Sequence, residues 1–168
     1  MGRIITRLTS GRGSGPGANL LEAGTTIEPF SADTTDGRTV FSKDYNGRIL
    51  VAFFLENCPP CKDAVPQFAD SAQRNTSDMR YLSVISCEGK NSLSADTQAH
   101  IALLEGSTEV FLESPGGPIH NSFRTQSFPS FYLLTSKGGL WMIEQTFASV
   151  QSVDMTSDTD TRGEKAVR

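Results

Sequence analysis

Short apolar runs separated by polar, turn-forming stretches set the pattern of this chain. The longest is Ile49-Leu50-Val51-Ala52-Phe53-Phe54-Leu55, without a polar interruption. A continuous run of this length, rich in aromatic and branched residues, predicts a buried core strand. Tyr81-Leu82-Ser83-Val84-Ile85-Ser86, ending at Cys87, predicts a second strand, Val110-Phe111-Leu112 a shorter one, and Phe131-Tyr132-Leu133-Leu134-Thr135 another buried one. Ser136-Lys137-Gly138-Gly139 then turns the chain into Leu140-Trp141-Met142-Ile143, closing a hairpin. Ahead of the core strand, Ile27-Glu28-Pro29-Phe30 and Thr34 to Val40 read as a hairpin-like extension, with turns at Asp36-Gly37 and Asn46-Gly47.

Helical stretches alternate with these strands. One runs from Lys62 to about Arg74. A second runs from about Leu93 to Leu104, with Ser92 or Ser94 as N-cap and Gly106 past its end. Pro118 to Phe123 predicts a short helix, and at most a short one follows near Ser149–Met155. The alternation, ending in a hairpin, predicts an α/β fold with a mixed sheet. Residues 1–20, rich in Gly, Ser and Arg, read as a flexible lead-in, residues 21–150 as one domain, and residues 151–168 as a disordered tail. There is no internal repeat.

Composition narrows the function classes. A chain of 168 residues with 37% hydrophobic and 20% charged content is long enough to bury a core as one domain. A net charge of -4 gives no footprint for nucleic acid, whose phosphates call for clustered Lys and Arg. Three cysteines are too few for a disulfide scaffold. No run approaches the ~18 apolar residues of a membrane span. Arg3, Arg7 and Arg12 are followed by no apolar segment of signal-peptide length. The expectation is a cytoplasmic monomer; a hydrophobic segment upstream of Met1 would instead make it exported or membrane-associated.

The candidate chemistry lies in Cys58-Pro59-Pro60-Cys61, where the core strand gives way to a helix. At a helix N-terminus the unpaired N–H groups and the positive end of the dipole stabilise a thiolate. Such a setting lowers a cysteine pKa from about 8.5 to between roughly 3.5 and 7.5. Pro59 suits the first helical position, because its missing N–H has no partner there anyway. Pro60 extends the rigidity and leaves the Cys61 N–H as the nearest donor for a Cys58 thiolate. Lys62 adds positive charge nearby. The competing reading is half of a zinc site, which needs about four ligands. Only Cys87, His100 and His120 remain, widely scattered. Redox chemistry is therefore preferred, with no metal and no bound cofactor. Ser127-Phe128-Pro129-Ser130 precedes the last buried strand, and an X-Pro bond there is either a trans strand start or a cis bond.

Taken together, these residues resemble the thioredoxin-like superfamily, and within it the TlpA-like and AhpC/TSA-related thiol–disulfide oxidoreductases. Gly24 to Phe30 and Asp36-Gly37-Arg38 look like the opening β extension of that group. Gly47–Leu55 looks like its first core strand, Cys58–Cys61 with Lys62 and Pro66 like its active-site helix, and Pro129 like its cis-proline. Residues 87–118 look like the helix-plus-strand insertion of the TlpA-like branch. The resemblance implies a central mixed sheet flanked by helices, Cys58 as exposed nucleophile and Cys61 as buried resolving thiol. Pro129 would face the disulfide, and the Phe128 backbone would pair with an extended substrate segment. The partners implied are a disulfide- or dithiol-bearing protein or small molecule and an upstream redox donor or acceptor, a role in cell redox homeostasis.

The departures are specific. Ala52 and Ala64 stand where relatives carry a buried acid, and Asn57 stands where an aromatic usually precedes the first cysteine. Proton transfer to Cys61 would then use water, Glu56 or Asp63, the last two expected at the surface. A peroxidase of the AhpC/TSA type would need a Pro and a Thr where Val51 and Leu55 stand. A non-catalytic thioredoxin-fold binding or chaperone module is the other alternative. Cys87 is expected to be a small core residue, His120 a surface or helix-end residue, His100 solvent-facing, and Trp141 and the ten Phe residues core.

Overall fold

The computed structural model describes residues 21–75, 79–135, 139–144 and 146–151. The lead-in, the turn at residues 136–138, the side chain of Trp141 and the tail from residue 152 lie outside the described residues.

Five strands form the central sheet: β3 (Ile49–Leu55), β4 (Arg80–Ser86), β5 (Glu109–Glu113), β6 (Ser130–Leu134) and β7 (Leu140–Glu144), in the order β5-β4-β3-β6-β7. β3, β4 and β5 run parallel; β6 is antiparallel to β3, and β7 to β6. β1 (Ser31–Asp33) and β2 (Thr39–Phe41) form a separate antiparallel hairpin, the expected β extension. Its turn carries Gly37 at φ 90°, a conformation that costs glycine nothing.

The unbroken apolar run of β3 is explained by burial on both faces. Leu50, Ala52 and Phe54 join a core with Val65, Phe68, Phe131 and Phe147, beneath helices α1 (Pro59–Arg74), α2 (Ala95–Glu105) and α4 (Phe147–Gln151). Ile49, Val51 and Phe53 join a second core with Phe30, Phe111, Phe123 and Tyr132, beneath the hairpin and α3 (Pro118–Phe123). In α1 the buried residues are Cys61, Ala64, Val65, Phe68, Ala69 and Ala72, the spacing of one helical face. Ser94, one of the two expected caps, accepts a bond from the Thr97 N–H at 3.1 Å.

The thioredoxin-like α/β fold expected from the sequence is the fold observed. One expectation about the core fails. Eight phenylalanines are buried, but Phe128 is only partly buried and Phe41 is 44% exposed, because β2 belongs to a two-stranded hairpin that covers only one of its faces.

Candidate active site

β3 ends where α1 begins, and three local choices shape that junction. Asn57 adopts φ 61°, a left-handed conformation that a short amide side chain tolerates better than a bulky one. This gives a physical reason for the missing aromatic. Cys58 is the N-cap of α1 with extended backbone, and Pro59 and Pro60 fill the first two helical positions. The first donor the helix offers is then the Cys61 N–H, and it donates to Cys58 Sγ at 3.2 Å. Cys58 and Cys61 are joined as a disulfide.

The two sulfurs differ in setting. Cys58 is partly exposed, whereas Cys61 is 2% exposed, packed in the core with Ala52, Phe54 and Ala64, and accepts the Leu55 N–H at 3.5 Å. Ala52 and Ala64 are themselves buried, so the positions that hold an acid in relatives give Cys61 apolar neighbours only. Pro66 lies exposed within α1, where it has no N–H to give the Lys62 carbonyl.

The Phe128–Pro129 peptide is cis. β6 pairs with β3 so that Ser130 lies opposite Phe53, which puts Pro129 level with Phe54, at the end of β3 that leads into Cys58. Phe128 touches both cores and Cys58 touches the first. Beside Cys58 runs a groove lined by Leu55, Pro59, Lys62, Asp96 and a half-buried His100, with Leu55 39% exposed.

Lys62 is close to Cys58, but its ammonium is engaged by the Asp96 carboxylate at 2.8 Å. The hydrogen bond between them holds the Lys62 pKa above, and the Asp96 pKa below, its ordinary value. Glu56 corrects the expectation of a surface acid: it is partly buried, and its Oε1 accepts the Ser94 N–H at 2.8 Å, anchoring the start of α2. Asp63 is exposed, as expected. Cys87 is a free, buried thiol whose pKa is pushed up by burial first and then by the Glu56 charge, so it stays protonated.

His120 is the second correction. It is 4% exposed, because Glu113 brings a carboxylate to it from the end of β5. Glu113 Oε1 accepts the Ile119 N–H at 2.8 Å; its Oε2 accepts the His120 N–H at 3.0 Å and meets His120 Nδ1 at 2.7 Å. A residue from β5 thus caps α3, which has no side-chain cap of its own. Gly117 leaves room for it, since a Cβ there would lie 2.8 Å from Glu113 Cδ. Sequence reasoning missed Glu113. The available signal was an acid at the end of an apolar strand, just ahead of Pro115-Gly116-Gly117-Pro118.

Among the described residues no group of three or more His, Cys, Asp or Glu side chains gathers as a metal site, and no helix is long and apolar enough to cross a membrane.

Comparison with known proteins agrees with this geometry. The sequence model of the AhpC/TSA family matches residues 23–113, more than half of the chain. No curated protein sequence matches. Among solved structures, the thioredoxin domain of a thiol-disulfide oxidoreductase from Bacteroides vulgatus superposes with a TM-score of 0.63 at 16% identity, over 79% of this chain and 97% of that one. The exposed lipoprotein thioredoxin of Streptococcus pneumoniae gives a TM-score of 0.57 at 21% identity, over 74% and 97%. A secreted disulfide oxidoreductase of Mycobacterium tuberculosis gives 0.58 at 13% identity, over 82% and 94%.

Proposed function

Because the chain belongs to the AhpC/TSA family, with a bonded Cys pair at a helix N-terminus, we propose that it is a thiol–disulfide oxidoreductase. The observation that carries this reading is the Cys61 N–H directed at Cys58 Sγ, at the cap of α1. In the reduced protein the same donor and the helix dipole favour a Cys58 thiolate.

The reaction runs in two exchanges. Cys58 thiolate attacks one sulfur of the partner disulfide, a mixed disulfide forms, and the partner's other sulfur leaves as a thiolate. Cys61 then gives up its proton, attacks Cys58 Sγ, and releases the second partner sulfur. Two electrons pass to the partner and the Cys58–Cys61 disulfide remains, to be reduced by an upstream donor. Run backwards, the sequence oxidises a dithiol. The packing supports these assignments, with Cys58 accessible and Cys61 buried behind it. With Ala52 and Ala64 around Cys61, its proton leaves through water.

Pro129 and the Phe128 backbone form the docking edge for an extended segment of a protein partner. Leu55 and Pro59 offer apolar contact beside Cys58, and Lys62 with Asp96 a polar rim. Pro60 stiffens the first turn of α1, and Pro66, inside the helix and without an N–H, sets its kink. Two of the similar structures come from an exposed lipoprotein and a secreted protein, which supports export as the alternative to a cytoplasmic location.

The test replaces each cysteine by serine and follows reduction of a disulfide-bonded protein by a thiol reductant. Cys58→Ser is expected to abolish catalysis, and Cys61→Ser to accumulate mixed disulfides on Cys58. Full activity in Cys58→Ser sinks the proposal. The buried alanines favour one further reading, a non-catalytic binding module; metal retained stoichiometrically, with no turnover, would support it. A peroxidase lacks support, since Leu55 stands where the activating threonine belongs.

A further inference from the structure

Burying a carboxylate and an imidazole is costly, and a pair of apolar side chains would fill the same space more cheaply. Of the contacts between acidic and basic side chains among the described residues, only Glu113–His120 has both side chains buried. Capping α3 needs only Glu113, whose oxygens already take the Ile119 and His120 N–H groups. The imidazole therefore calls for a reason of its own. Its Nδ1 is held by Glu113 at 2.7 Å, and its Nε2 has no partner among the described residues. That unpaired atom makes the ring a worse filler than Phe or Leu.

Where the ring points supplies the reason. It lies edge-on to Phe53, centroids 5.2 Å apart, and 6.0 Å from the Phe128 ring. Phe128 is only partly buried, spans both cores, and immediately precedes cis Pro129. Glu113 bonds both the backbone N–H and the ring of His120, which holds the ring in the orientation that meets Phe128. We propose that Glu113 and His120 are positioning residues that brace Phe128, and through it the Phe128–Pro129 edge on which a protein substrate docks. The proposal rests on the oxidoreductase reading and assigns the pair no proton-transfer step.

The experiment compares two substrates of the 168-residue protein, a disulfide-bonded peptide that needs the docking edge and a small aromatic disulfide that does not. His120→Ala is expected to raise KM for the peptide about tenfold while kcat stays within about twofold, the signature of lost uniform binding. The rate on the small disulfide and the thiol pKa of Cys58 should not move. His120→Phe, which returns a ring against Phe128 but no nitrogen for Glu113 to hold, should recover part of the KM and not all of it. If His120→Ala fails to fold, His120→Leu fills the volume without a planar ring and carries the same expectation. An unchanged KM, an equal loss on both disulfides, or no recovery in His120→Phe overturns the proposal. A wild-type protein inactive on both substrates instead overturns the oxidoreductase reading on which it stands.

Discussion

Replacing Glu113 by glutamine tests the buried cap with the least change in shape. Glu113 offers two oxygens to three donors, the N–H groups of Ile119 and His120 and the His120 ring. Glutamine offers one oxygen and one NH2. In its better orientation the oxygen stays with His120 and the NH2 confronts the Ile119 N–H, leaving a buried donor unpaired. An unpaired buried donor costs about 1–3 kcal/mol, and bonds to a charged acceptor lose roughly half their strength when it becomes neutral. The sum is about 2–5 kcal/mol, a large part of a typical stability of ~5–15 kcal/mol. At this chain length it lowers Tm by about 4–20 °C. Urea unfolding followed by circular dichroism, with the disulfide kept oxidised, measures it as a lower midpoint at unchanged slope. A loss below about 0.5 kcal/mol, the range of ordinary surface substitutions, would refute the claim that this carboxylate holds α3 in place.

Two further outcomes follow from the pKa shifts. Burial and the Glu109 hydrogen bond raise the Tyr45 phenol, whose O–H donates to Glu109 at 2.6 Å. Its contribution is complete below the unfolded value of ~10 and falls as pH rises above it, so the wild type loses stability in that alkaline range and Tyr45→Phe flattens the loss in a pH series of urea midpoints. Asp96→Asn releases Lys62 beside Cys58, and thiolate absorbance during a pH titration should show a slightly lower Cys58 pKa. The effect stays small because both side chains are exposed and screened by salt; a higher pKa would contradict the argument.

The sequence discloses those parts of the molecule whose causes are local. The apolar run of β3, the face of α1 and the Ser94 cap follow from neighbours a few residues apart. So does Cys58 as helix cap, because two prolines after it leave only one nearby donor. What stays hidden depends on distant partners. Glu56 looks like a surface acid until Ser94, 38 positions away, uses it. β5 runs from Glu109 to Glu113, beyond its three apolar residues. Glu109 is met by Tyr45, 64 positions away, and by Arg38, 71 positions away, and Glu113 by the helix that follows it. His120 does sit in the last turn of its helix, but it is buried there because Glu113, seven positions earlier, folds back onto it. The cis bond before Pro129 was legible only through resemblance, since an isolated X-Pro favours trans.

The proposed exchange depends on an asymmetry between two thiols of one motif. Limited alkylation of the reduced native protein, mapped by peptide mass across a pH series, measures it directly. The expected result is label on Cys58 alone, with an apparent pKa clearly below the free-thiol value of about 8.5, and none on buried Cys61 or Cys87. Label first on Cys61 or Cys87, or a Cys58 that titrates like a free thiol, would contradict it.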